Sequence, residues 1–343
     1  MTKRNEDNER IKRKYRHYLQ QASGKSEATL DKVAAALARF EASTGARSFK
    51  LFHTEQAVAF KARLQNARNP RTKEPLSLAT INGILGDVKA FFKWLAWQPG
   101  YKSRISPTDA DYFSLPMKDV AAASAYIERP YPSMEQSLHA FRQMPASTVI
   151  DRRNRAVFAL LLMTCIRDTA LTSLKLKHVD LSALVIYQNG REVRTKASKT
   201  ITTYLFPIDC EVEAAFGEWV REVSAELLLG PADPLFPKTL MRVGASGGFE
   251  VAGLSREHWS TASPVRAIVR DAFAAADLPH FTPHAFRRTL QDWGARRCQT
   301  PEQYKALSQN LGHDSVLTTF ASYGTVARVR QGEIIRAMGG DNR

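Results

Sequence analysis

Over residues 183–206 the apolar pattern alternates from one residue to the next, whereas on either side it repeats every three to four residues. Alternation places successive side chains on opposite faces of a strand, and a 3.6 repeat draws one apolar stripe along a helix. One short alternating stretch in a helical background restricts the chain to a mainly α fold with a small antiparallel β-sheet. The stretch reads as three strands. Residues 183–188 form the first, Asn189-Gly190 is a preferred two-residue hairpin turn, and 191–196 return. After a second turn at Ala197-Ser198, residues 200–206 form the third.

The helical flanks divide the rest of the chain. Leu30, Val33, Ala34, Leu37 and Phe40 share one helical face after Ser26, and a second helix is expected over 54–66. A third runs over 78–97, with Ile81, Ile84, Leu85, Val88 and Leu95 on its apolar side. Phe91, Phe92, Trp94 and Trp97 read as core residues rather than base-stacking ones. Prolines 107, 116 and 130 then break the pattern. Beyond them a helix is expected over 133–144, and another over 151–166 that is apolar nearly all round and therefore buried. The 343 residues suit two domains. The expected parts are a basic arm over 1–20, an all-helical domain over 21–112, a linker over 113–132 and a second domain over 133–343. The second domain carries the sheet near 183–206 and ends in a tail helix. The glycine-rich stretch 243–254 has no phosphate-cradling pattern and reads as a surface connection.

Charge narrows the partners. With 49 Lys and Arg against 34 Asp and Glu, the formal net charge is +15, which favours a polyanion, either nucleic acid or an anionic membrane surface. The longest apolar run, 156–166, has 11 residues, too few to cross a bilayer. The polar start of the chain lacks the apolar segment of a signal peptide, so a cytoplasmic protein is expected. Cys165, Cys210 and Cys298 fit neither a disulfide framework nor a zinc site. No Cys/His ligand spacing or carboxylate cluster suggests a metal, and no cofactor is expected.

The segment Thr282-Pro283-His284-Ala285-Phe286-Arg287 reads as a helix start, with Thr282 as cap and Pro283 in the first position. His284 and Arg287 would share a face of its first turn, beside amides that attract anions. Phosphate chemistry is one reading; a capped helix with a solvated basic face is the other. Thr300-Pro301 repeats the capping logic, with Gln303 completing a capping box and Gly312 placed to end the helix.

In combination these segments resemble the tyrosine recombinase (phage integrase) family. The order His284-x-x-Arg287, Leu311-Gly312-His313, Thr318-Thr319 and Tyr323 is similar to that family's C-terminal signature. Upstream, 164–171 around Arg167 resembles its first arginine box, and 194–200 resembles the sheet turn that carries its catalytic lysine. The resemblance implies a two-domain clamp around DNA, with 21–112 as the core-DNA-binding domain and 133–343 as the catalytic domain, and a site-specific recombinase or integrase acting through a 3′-phosphotyrosine. In it Tyr323 is the nucleophile, Arg167 and Arg287 hold the phosphoryl oxygens, and Lys196 is the general acid, with Lys199 the competing choice. Lys196 would end the returning strand, on the face of Arg194 and Glu192. His284 and His313 divide the roles of base or proton shuttle and phosphate donor.

The implied partners are double-stranded target sites, a homo-tetramer in the synaptic complex and accessory DNA-bending proteins, with no membrane, in the bacterial cytoplasm at the nucleoid. A type IB topoisomerase and a non-catalytic DNA-binding protein on the same scaffold are the alternatives. Three departures stand out. Cys165 occupies a position that is usually Gly, and Ala170 one that is often acidic, so support for the pocket would fall to Asp168. The interval from His313 to Tyr323 is ten residues, one longer than in many members. Lys175, Lys177 and His178 could touch DNA backbone or face water.

Overall fold

The structure, a computed structural model, describes residues 4–125, 129–244 and 247–312. The chain divides into two compact units, 1–127 and 128–343.

The first unit is helical: α1 (Glu6–Gln21), α2 (Glu27–Ser43), α3 (Thr54–Gln65), α4 (Leu78–Leu95) and α5 (Met117–Ser124). The basic arm expected over 1–20 is instead α1, whose Ile11, Tyr15 and Leu19 recur every four residues and are buried. Its dense charge lies on the other side and hides this narrow stripe in the sequence. Asn8 is fully buried on α1, yet its side chain is satisfied. It donates to Glu41 Oε1 (3.1 Å) and the Arg47 carbonyl (2.9 Å), and accepts from the Phe49 amide (2.9 Å). The core is aromatic, with Phe40 in edge-to-face contact with Phe60, Phe92 and Phe113. Phe91 and Phe92 are wholly buried, as expected, but Trp97 is 66% exposed, just beyond the end of α4. The expected linker also begins inside this unit, since Phe113 and Leu115 are buried and α5 lies within 113–132.

The second unit holds α6 (Met134–Gln143), α7 (Val149–Thr164) and the short α8 (Asp168–Leu171), then strands β1 (Val179–Asp180), β2 (Val185–Gln188) and β3 (Ile201–Tyr204). It continues with α9 (Cys210–Ala225), β4 (Thr239–Val243), β5 (Phe249–Leu254), α10 (Ser263–Ala275), α11 (Ala285–Ala295) and α12 (Pro301–Asn310). Helix α7 is the centre: residues from Ala156 to Met163 have no exposed surface, as its uniform apolarity implies.

The sheet differs from the expected hairpin. Its order is β1-β2-β3, all antiparallel, and β2 pairs directly with β3, Gln188 opposite Ile201. Residues 191–196 form no strand. Asn189 and Gly190 do not adopt positive φ, which a type I′ hairpin requires at both positions. The Asn189 carbonyl instead accepts the amides of Glu192 (3.0 Å) and Val193 (2.8 Å), opening a long loop over 189–200. Gly190 is required for a different reason: a Cβ there would stand 1.9 Å from the Ser198 carbonyl oxygen. The second turn is present, with Ala197 and Ser198 at φ 57° and 52°.

The stretch 243–254 is also not a plain connection. It contains β5 and the last residue of β4, which pair as a hairpin whose register is irregular between Leu240 and Met241. Leu240, Met241, Val243, Phe249 and Val251 are all exposed, so no buried face imposes the alternation that would reveal strands. No helix among the described residues is long and apolar enough to cross a membrane.

Candidate active site

Arg167 follows the turn that ends α7. The last helical residue, Thr164, is succeeded by Cys165 at φ 49° and ψ 31°, the left-handed conformation in which helices commonly terminate on glycine. That accounts for the glycine usual at this position, and Cys165 adopts the conformation here at a steric cost. In compensation its buried Sγ donates to the Phe286 carbonyl at 2.9 Å. Burial pushes the thiol pKa up to about 12, so it remains a protonated donor. The turn directs Arg167 to a half-buried position, where its guanidinium makes no hydrogen bond or ion pair with another described residue.

Helix α11 begins later than its sequence suggests. Thr282 gives no side-chain cap; its carbonyl accepts the Ala285 amide at 2.9 Å, and His284 itself stands at the N-cap. Arg287, half-buried in the first turn, donates from Nη1 to the Cys165 carbonyl at 2.9 Å and from Nη2 to the Leu311 carbonyl. One guanidinium thus joins the α7 terminus, two residues before Arg167, to the α12 terminus, two residues before His313. Burial, then repulsion from Arg167, lowers the Arg287 pKa, with Cys165 opposing; the guanidinium stays charged at neutral pH.

His284 is exposed as a whole residue, yet its ring is partly desolvated against the protein. That desolvation lowers its pKa below the ordinary imidazole value, and Arg287 and Arg167 lower it further. Asp168 opposes weakly, and Arg129 adds to the lowering. The imidazole is therefore neutral at pH 7, as a proton acceptor must be. Asp168 does not support the arginines by hydrogen bond: its carboxylate accepts Arg266 Nε at 2.8 Å and the Thr169 amide at 2.8 Å.

Helix α12 matches its sequence signals. Thr300 caps it with reciprocal bonds to Gln303, Pro301 opens it, and Gly312 closes it at φ 68°. Asn310 fixes it to the sheet edge, accepting the Tyr204 amide at 2.7 Å and donating to the Tyr204 carbonyl at 3.0 Å. His313 and Tyr323 lie outside the described residues.

Lys196 is exposed on the 189–200 loop rather than at a strand end. The loop is anchored by the Arg194 amide on Ser173 Oγ (2.9 Å) and by its guanidinium on the carbonyls of Trp259 (3.2 Å) and Ser260 (2.9 Å). Lys177 and the buried His178 are bound to Glu192, so neither simply faces water. Glu192 and Ser173 carry no local signal in the sequence, because their partners lie 14 and 21 positions away. A cavity of about 750 Å³, lined by Arg153, His258 and Trp259, contains none of the candidate residues. Among the described residues no His, Cys, Asp and Glu group could hold a metal ion.

A sequence model described as the phage integrase family matches residues 134–329, over half of the chain. The chain belongs to the phage integrase family. Solved integrases share its fold. A lambda integrase dimer bound to a COC′ core site has a TM-score of 0.62 at 13% identity, covering 93% of this chain and 96% of that one. The Tn1549 transposon integrase in complex with transposon right end DNA has a TM-score of 0.60 at 16% identity, covering 96% and 99%. The same integrase with circular intermediate DNA gives 0.62 at 16%, again over 96% and 99%. No curated protein matches the sequence.

Proposed function

We propose that this phage integrase family member is a site-specific DNA recombinase or integrase that cuts and rejoins strands through a covalent 3′-phosphotyrosine on Tyr323. The Arg287 guanidinium carries this reading, since its bonds to the carbonyls of Cys165 and Leu311 draw three distant motif segments to one place. The family resemblance and the integrase fold support it further.

Cleavage needs a nucleophile, neutralisation of two non-bridging oxygens and a proton for the departing 5′-oxygen. Tyr323 Oη attacks phosphorus while its proton passes to neutral His284. The phosphorus–O5′ bond breaks, and the Lys196 ammonium protonates O5′. Arg167 and Arg287 hold the phosphoryl oxygens, for which planar guanidinium is suited, and His313 donates to the same phosphate. Attack by another strand's 5′-hydroxyl reverses the step. The phosphotyrosine retains the bond energy, so no ATP is required. Most of the remaining positive charge positions the duplex without reading its sequence. The two units would close as a clamp around DNA, as a homo-tetramer at paired sites, helped by DNA-bending proteins, at the nucleoid.

The test uses a nicked suicide duplex carrying the site that the full chain selects from genomic DNA. Wild type should accumulate a covalent protein–DNA adduct, and Tyr323→Phe should bind without forming it. An adduct that survives the substitution refutes Tyr323 as nucleophile. Relaxation of arbitrary plasmid without recombination of paired sites would replace the reading with a topoisomerase.

A further inference from the structure

The loop that presents Lys196 is held at its base by a side chain the chemistry above does not use. Glu192 Oε1 accepts Lys177 Nζ at 2.8 Å, and its Oε2 accepts His178 Nε2 at 2.9 Å. His178 is only 5% exposed, so both ring nitrogens need partners. Its Nδ1 accepts the Lys175 amide at 3.0 Å, which leaves the hydrogen on Nε2, directed at Glu192. The carboxylate therefore meets a donor of fixed tautomer and fixed orientation on one oxygen, and a cation on the other.

These partners lie on the segment that follows Arg167. Ser173 Oγ donates to the Ala170 carbonyl at 2.9 Å and accepts the Arg194 amide at 2.9 Å. Two residues further on begins the stretch that contains Lys177 and His178. Val193, between the two anchors, is 3% exposed. The loop is thus fastened to the arginine segment at Glu192, Val193 and Arg194, and Lys196 follows two residues later.

We infer that Glu192 is a positioning residue. By holding the loop against Lys177 and His178, it sets where Lys196 stands relative to Arg167, and so whether the ammonium reaches the departing 5′-oxygen. The inference rests on the reading of Lys196 as the general acid, and the experiment separates the two.

The full chain is assayed on two nicked duplexes, one with the natural scissile phosphodiester and one with sulfur in place of the bridging 5′-oxygen. When the phosphorus–sulfur bond breaks, the electron pair leaves on a thiolate. With a thiol pKa of about 8.5, that thiolate needs no acid. Glu192→Ala should cleave the natural duplex about 10- to 100-fold more slowly, a part of the ~10²–10⁴ that a placed acid contributes. On the sulfur duplex it should remain within about twofold of wild type. Glu192→Asp should fall between the two, and Glu192→Gln, nearly isosteric, provides a second folded variant without the charge. Wild-type cleavage of the natural duplex by both Glu192→Ala and Glu192→Gln overturns the proposal. Equal slowing on both duplexes overturns it as well, because the defect is then a general distortion. Lys196→Ala tests the underlying reading: if it is not slowed, or is slowed equally on both duplexes, Lys196 is not the acid, whatever Glu192 does.

Discussion

Arg167 and Arg287 are alike in proposed chemistry and unlike in structure, and this difference can be measured. Arg287 makes two charge-assisted bonds to main-chain carbonyls, whereas Arg167 makes none with the described residues. A hydrogen bond to a charged group contributes about 1.5–3 kcal/mol. Arg287 is half-buried, so water can partly replace the lost donors, and the lower end applies: about 3 kcal/mol for Arg287→Ala. For a unit of this size each kcal/mol shifts Tm by about 2–4 °C, so a fall of roughly 6–12 °C is expected in the transition of the second unit. Arg167→Ala should stay within about 0.5 kcal/mol of wild type, as surface substitutions do. Both should slow adduct formation by about 10² or more, the usual cost of losing one preorganised donor. Differential scanning calorimetry of the DNA-free chain and suicide-substrate kinetics supply the two axes. Equal destabilisation by the two substitutions, or an Arg287→Ala transition within a degree of wild type, would refute the assignment of Arg287 as the tie between the α7 and α12 termini.

Three further outcomes are expected. At Cys165, glycine should be more stable than alanine by about 1 kcal/mol, because both lose the thiol but only alanine keeps the left-handed strain; denaturant titration that ranks alanine first would contradict the backbone reading. Because the folded pKa of His284 lies below its unfolded value, its contribution is present above about 6.5 and is lost as pH falls through the folded value. The acid limb of the cleavage profile should therefore lie below pH 6.5, and Asp168→Asn, which removes a described group that raises this pKa, should shift it lower still. Gly190→Ala should collide with the Ser198 carbonyl and slow cleavage at least about tenfold, with DNA affinity in a filter-binding assay nearly unchanged.

The residues alone specified what depends on neighbours in sequence. Helix α12, with Thr300, Pro301, Gln303 and Gly312 at its ends, was legible almost to the residue, and the buried α7 to within two residues at each end. Helical stripes and caps are set within a few turns of one chain segment, so their signals survive in the sequence. The proposed site residues Arg167, Lys196, His284, Arg287, His313 and Tyr323 rest on a resemblance that concerns chemistry and order rather than contact.

What depended on distant partners was not. The pairing of β2 with β3 rather than with 191–196 was decided by the turn geometry that Asn189 and Gly190 do not adopt, and by the approach of Gly190 to Ser198. Helix α1 gained its burial from α2 and α4 of its own unit, which a charged sequence could not advertise. The β4–β5 hairpin buries no face, so it left no alternation to read. The link from Arg287 to two carbonyls 122 and 24 residues away, and that from Glu192 to His178, required packing to bring their ends together. Periodicity is a local property and was written in the chain; the convergence of the site is a long-range one, fixed only when the helices that carry its parts had packed around α7.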